Sequence, residues 1–259
     1  MNFFFGLNND YLKSKLTIPR FQNRSNPKKD YIIFEAEIVN NKWIINKISC
    51  NNNESFFFLD SNLINNSKIF FLAKEQEVNK IKKNNFLKLI NLNTFTDTAP
   101  AFRANLQISN ENGGFSSYQS EYPYSMIIKK GNILSPISSL ADKMADKNIV
   151  FLRNIYHQPI QKEFDIYFLN IKSKKILFQK KILTNFTNEI IINKEFIHPE
   201  IFLFTNNYLG IPVYVSMNKY HISCEHTHPP HEYILSKDKY TRVSELKNKC
   251  NEIINKSNF

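Results

Sequence analysis

From Asp30 onward the chain is a succession of short apolar runs separated by turn-forming residues, and it lacks helical segments that could bridge one run to the next. Parallel strands need crossovers of about a dozen residues or more, usually helical. Without them the runs must pair with antiparallel neighbours. The expected fold is mainly β: an antiparallel sandwich, barrel or small propeller-like architecture, with a short internal helix and a C-terminal α-helix. At 259 residues with 42% hydrophobic content, the chain can bury one large core. We expect a single β-rich domain over 1–259, with an N-terminal surface arm over 1–29, a β core over 30–235 and the helix over 236–259.

Individual elements follow from period and punctuation. Ile32, Phe34, Ala36 and Ile38 alternate with Tyr31, Ile33, Glu35 and Glu37, and Asn40-Asn41 separates them from Trp43-Ile44-Ile45. This pattern predicts a hairpin, because Asn tolerates the left-handed backbone of a tight turn. Phe56 to Leu59 and Ile69 to Leu72 read as buried strands, 73–84 as a polar surface helix, and Phe86 to Leu92 as a strand. Phe102, Ala104, Leu106 and Ile108 alternate with Arg103, Asn105, Gln107 and Ser109, predicting a strand with one wet face. Asn112-Gly113-Gly114 marks a turn, and Phe115 to Tyr124 has no regular period and reads as a polar-aromatic loop.

Ser138-Ser139 is expected to cap a short helix from Leu140 to Lys147, with Leu140 and Met144 one turn apart. Strands are expected at Ile149 to Leu152, Phe164 to Ile171, Ile176 to Leu183, Glu189 to Ile192, Ile201 to Phe204 and, as one long run, Ile211 to Cys224. Lys172 to Lys175 is the turn between the second and third of these. Val243, Leu246, Cys250 and Ile253 fall at helical spacing and define the closing helix, which should pack on the β core.

The net charge of +11 and pI near 9.4 raise the question of a polyanionic partner. The lysines are scattered in short groups at strand ends and turns, and neither a ribonucleoprotein motif nor a Cys/His finger spacing is present. Specific nucleic-acid binding is not expected. Cys50, Cys224 and Cys250 are an odd number, far apart, which argues against a disulfide framework and for a reducing, cytoplasmic setting. The opening Met1 to Leu7 lacks the basic leader and cleavage site of a signal peptide. No apolar run approaches the ~18 residues of a membrane span. Glycine loops for phosphate or dinucleotide, a nucleophile elbow and a kinase motif set are all missing.

Chemistry concentrates in Glu225-His226-Thr227-His228-Pro229-Pro230-His231-Glu232, which holds three of the six histidines. If the strand from Ile211 continues, His226 and His228 project from one face, as a ligand pair for a divalent metal would. With Glu232 they form H-x-H-x-x-x-E, which is similar to the first metal motif of cupins, where two histidines and a glutamate hold a metal inside a small barrel. The likeness covers these residues alone: the flanking glycines are absent, and too little chain follows for the second half-motif. Read as H-x-H-x-x-H through His226, His228 and His231, the segment resembles the histidine part of the metallo-β-lactamase motif, with Pro230 where that family has Asp. Without metal, Glu225 or Glu232 can pair with a histidine for proton transfer. In the bland reading, Pro229-Pro230 turns the chain outward and the imidazoles merely cap carbonyls.

Arg103 and Glu121 are candidate ligand-binding partners, the guanidinium for carboxylate or phosphate, although the two can equally pair with each other. Tyr118, Tyr122 and Tyr124 offer the apolar faces and polar tips of a sugar-binding surface, or else belong to the core. His157 and His198 read as turn residues, and Cys224 as a buried thiol. The functional expectation is an enzyme of hydrolase, lyase or isomerase type, acting on a polar small molecule or carbohydrate by His/Glu proton transfer with or without a divalent metal. Its rivals are a non-catalytic carbohydrate-binding β module and a structural or assembly protein using its β surface.

Overall fold

The computed structural model describes residues 2–20, 29–80, 104–119, 121–226 and 237–257. Within these residues eighteen strands run in chain order as β1 (Asn2–Phe3), β2 (Leu12–Pro19), β3 (Tyr31–Val39), β4 (Lys42–Lys47), β5 (Asn51–Asn52), β6 (Phe56–Leu59), β7 (Ile69–Lys74), β8 (Asn105–Asn110) and β9 (Phe115–Gln119), then β10 (Tyr122–Pro123), β11 (Leu134–Pro136), β12 (Lys147–Arg153), β13 (Glu163–Asn170), β14 (Lys175–Leu183), β15 (Thr187–Ile191), β16 (Ile201–Thr205), β17 (Ile211–Met217) and β18 (Ile222–His226). Helix α1 (Glu75–Lys80) is short, and α2 (Lys237–Ser257) lies near the C-terminus. Among the described residues every strand pairing is antiparallel, in four sheets ordered β5-β6-β2-β8-β9, β4-β3-β7, β15-β12-β17-β18 and β11-β16-β13-β14, plus the short ribbon β1-β10. Among the described residues no sheet closes on itself. The architecture is therefore one of packed sheets, neither a barrel nor a propeller.

Strand β12 shows how the layers stack. Ile149 and Phe151 enter one core together with the sheets of β2 and β3, whereas Val150 and Leu152 enter a second core together with the sheet of β13. β17 does the same, with Val213 and Val215 on one side and Tyr214 on the other. Covering both faces removes the need for polar alternation, so β12 and β17 read as continuous apolar runs. In β13, Ile166 and Phe168 face the second core, while Tyr167 and Leu169 face outward and are covered by Cys250, Ile253 and Ile254 of α2. The order through the molecule is thus N-terminal sheets, central sheet, third layer, helix.

The hairpin of β3 and β4 forms as expected, with Asn40 and Asn41 at φ 50° and 57°. β8 also matches, with Leu106 and Ile108 fully buried and Asn105 exposed. α1 occupies part of the expected surface helix, and Lys174 at φ 55° lies in the turn from β13 to β14. The strand expected at Phe86 to Leu92 lies outside the described residues.

Four expectations need correction. Of the expected N-terminal arm, residues 2–20 are core and not a surface arm, and 21–28 lie outside the described residues: Phe3, Phe5, Leu7, Leu12, Leu16 and Ile18 are all fully buried, and β2 sits in the middle of the five-stranded sheet. Its alternation of Leu12, Ser14, Leu16 and Ile18 against Lys13, Lys15 and Thr17 is a strand signal outweighed by the prolines and lysines that follow. Leu140 to Lys147 is not a helix: a single 3-10 turn covers Ile137–Ser139, Met144 is 81% exposed, and Asn148 and Ser216 take the Asp142 backbone N–H instead. The run from Ile211 to Cys224 is a hairpin, β17 and β18, closed where the Asn218 N–H reaches the His221 carbonyl. The polar-aromatic loop contains β9, paired with β8, and then β10.

Candidate functional site

Two hairpins, β8-β9 and β17-β18, dock beside each other at the edges of their sheets. At the tips, Asn110 Nδ2 reaches the Lys219 carbonyl at 3.4 Å, and Gly114 lies so close to Tyr220 that a Cβ would stand 2.6 Å from its carbonyl oxygen. The Asn112-Gly113-Gly114 turn thus uses its glycines for different ends: Gly113 for φ 87°, Gly114 for close approach. β9 and β18 both run away from these tips. At their far ends the Tyr118 ring and the His226 imidazole meet, with centroids 4.9 Å apart.

This contact joins the aromatic segment to the start of the His/Glu cluster. Cys224 and His226 share one face of β18, directed to the first core, while Glu225 is exposed on the other face. Adjacent strand residues diverge in this way, so Glu225 is not aligned to share a proton with His226. Tyr118 is buried, also beside Phe5. Tyr122 is fully buried, pairs with Phe3 in the β1-β10 ribbon, and donates its hydroxyl to the Leu209 carbonyl at 3.3 Å. It is a core residue and not part of a sugar-binding surface. Glu121, half-buried, lies next to it in the chain. Arg103, His228, His231 and Glu232 lie outside the described residues, as does the side chain of Tyr124.

Among the described residues no group of three or more His, Cys, Asp or Glu side chains could hold a metal. The proposed ligand set His226, His228 and Glu232 has only its first member within them. All three cysteines are free, and burial pushes the Cys224 thiol up to about 12, so it is not a thiolate at neutral pH. His157 has its ring against Tyr156 and its carbonyl accepting from Trp43 Nε1 at 3.1 Å, and burial lowers its pKa. His198 accepts the Glu200 backbone N–H on Nδ1 at 3.3 Å. Both serve the fold locally. Among the described residues no helix is long and apolar enough to cross a membrane.

One chemically unusual residue was not singled out from sequence. Arg153, at the end of β12, is fully buried without a carboxylate partner among the described residues. Its guanidinium donates to the Asn66 carbonyl at 2.6 Å, the Thr187 hydroxyl at 3.2 Å and the Ser67 carbonyl at 3.4 Å, and burial lowers its pKa to about 9. It stays charged at neutral pH and ties the 60–68 loop to the central sheet. The available signal was a single charge closing the apolar run Ile149 to Leu152.

Compared with known proteins, the chain matches no family model, no curated protein and no solved structure. The two motif likenesses remain confined to the residues that carry them.

Proposed function

We propose that the protein is an enzyme acting on a polar small molecule or carbohydrate at the far end of the β9-β18 seam, with His226 transferring protons. The observation that carries this reading is the 4.9 Å contact of Tyr118 with His226. It brings two regions rich in hydrogen-bonding groups, distant in sequence, to one place at the edge of a packed core. An aromatic contact fixes the ring plane of an imidazole, and an imidazole both donates and accepts protons near neutral pH. Glu121, which follows β9, is the carboxylate nearest Tyr118 in the chain, and the rest of the cluster follows His226 directly. In this reading His228, His231 and Glu232 complete the site, and a divalent ion, if used, is held by His226, His228 and Glu232.

Untagged protein incubated with a panel of neutral, acidic and phosphorylated sugars in D₂O, followed by NMR, tests the proposal. Turnover or carbon-bound deuterium is expected for at least one substrate, with a loss of about a hundredfold or more in His226→Ala. Full activity in that variant would remove His226 from the mechanism. Metal analysis of the same preparation, with His228→Ala alongside, tests the metallo form, which is lost if no stoichiometric ion is found.

The divergence of Glu225 from His226 favours a second reading, a non-catalytic carbohydrate-binding module. Glycan-array binding that survives His226→Ala and His228→Ala but is abolished by Arg103→Ala would establish it over the enzyme.

A further inference from the structure

Far from the β9-β18 seam, α2 and the third layer part to leave a groove of about 730 Å³. Its floor is apolar, formed by Ile171 and Phe202 of the sheet side and by Leu246 and Ile253 of the helix. Its rim is basic: Lys172 and Lys174 come from the β13-β14 turn, Lys249 and Lys256 from α2. Two carboxylates oppose these four ammonium groups, Glu200 and Glu252, and Glu200 is taken up by Lys172 at 3.0 Å. Among the described residues, Lys174, Lys249 and Lys256 have no ion-pair partner, so the groove carries a surplus of positive charge over an apolar floor in which Ile171, Phe202 and Leu246 are only partly buried.

Lysines near a helix C-terminus complement its dipole, which accounts for Lys256. It accounts neither for Lys172 and Lys174, which belong to the sheet, nor for the apolar floor between the two basic edges. The volume is in the range of small-molecule sites, about 300–1,000 Å³. We propose that this groove binds a single-chain amphiphile with an anionic head, its tail along Ile171, Phe202, Leu246 and Ile253 and its carboxylate or phosphate among Lys174, Lys249 and Lys256. A recess between helix and sheet encloses one chain, whereas a bilayer surface would require the apolar residues to protrude. Purely polar anions would leave the floor uncovered.

Calorimetric titration of the full chain at low salt, below micellar concentrations, tests this with dodecanoate and dodecyl phosphate. Inorganic phosphate, dodecyltrimethylammonium and phosphatidylglycerol vesicles serve as controls. One molecule of an anionic amphiphile is expected to bind per chain, at least tenfold more tightly than the cationic analogue or phosphate alone. The double variant Lys174→Glu/Lys249→Glu should lose at least tenfold, and Leu246→Trp, which fills the floor, should abolish binding. Both lysines are exposed, so the charge-reversed variant keeps the test valid if Leu246→Trp fails to fold. The proposal is overturned if neither anionic amphiphile binds, if the cationic one binds equally well, if both variants bind as wild type does, or if only vesicles are bound. Because the groove shares no residue with the β9-β18 seam, these outcomes are independent of the fate of His226.

Discussion

At the scale of single residues, the hairpins that build the candidate site depend on one missing side chain. Gly114→Ala would put a Cβ 2.6 Å from the Tyr220 carbonyl, and backbone cannot swing aside as a flexible side chain could. We expect a loss of about 1–3 kcal/mol in denaturant unfolding, the usual cost of overpacking, whereas Gly113→Ala should be destabilised by its φ of 87° alone. A variant as stable as wild type would mean that the two tips are not in contact. The thiols give a second residue-scale test. Burial pushes both Cys224 and Cys250 up to about 12, and Cys50, only partly buried, is raised less. Ellman's reagent at pH 8 should therefore label at most Cys50 in the folded protein and all three in denaturant. The linkage sign follows: the unfolded chain gives up its thiol protons above about pH 8.5, while the folded one retains those of Cys224 and Cys250 until about 12. Their contribution is full below about pH 8.5 and shrinks from there toward pH 12. A Cys224→Ala/Cys250→Ala variant should show a shallower alkaline decline in stability than wild type, whatever its stability at pH 7.

At the scale of elements, the β3-β4 hairpin is the clearest case of sequence acting locally. Asn40 and Asn41 sit at φ 50° and 57°, which costs a residue with an ordinary Cβ roughly 1–2 kcal/mol. Asn41→Gly should be neutral or slightly stabilising, while Asn41→Val should lower stability by about 1 kcal/mol or more, read from the urea midpoint. Elements of this kind were legible because turn chemistry and alternation lie within a dozen neighbouring residues. The elements misread were those whose state is decided at long range. Phe4 exchanges backbone hydrogen bonds with Phe70, and Phe3 pairs with Tyr122, so although the alternation in β2 announces a strand, the partners that bury residues 3–18 lie far along the chain. Leu140 and Met144 stand at helical spacing, but the distant Ser216 hydroxyl helps hold the Asp142 backbone in a turn. The candidate site was half legible for the same reason. Density of histidine marked 225–232, whereas the meeting of Tyr118 with His226 depends on two sheet edges brought together by the tertiary fold.

At the scale of the whole molecule, the decisive arrangement is the central sheet with a core on each face. Phe151 and Val150 are neighbours in one strand, yet each belongs to a different core, so neither core can come apart without stripping one face of β12 and β17. The third layer likewise serves the second core with Phe168 and holds α2 with Leu169. A chain of shared sheets of this kind should unfold as one cooperative unit, which has a direct test because the probes fall in different layers. Trp43, the only tryptophan, is buried in the first core, and α2 lies on the outermost surface of the third layer. Trp fluorescence and the 222 nm circular dichroism of the helix should give coincident urea transitions. Phe151→Ala opens the first core and Leu203→Ala the second, each at a cost of about 2–5 kcal/mol. Either variant should move both probes by the same amount. If Leu203→Ala shifted the helix signal while Trp43 kept its wild-type midpoint, the layers would be separable units, and the central sheet would be a boundary between them instead of their common support.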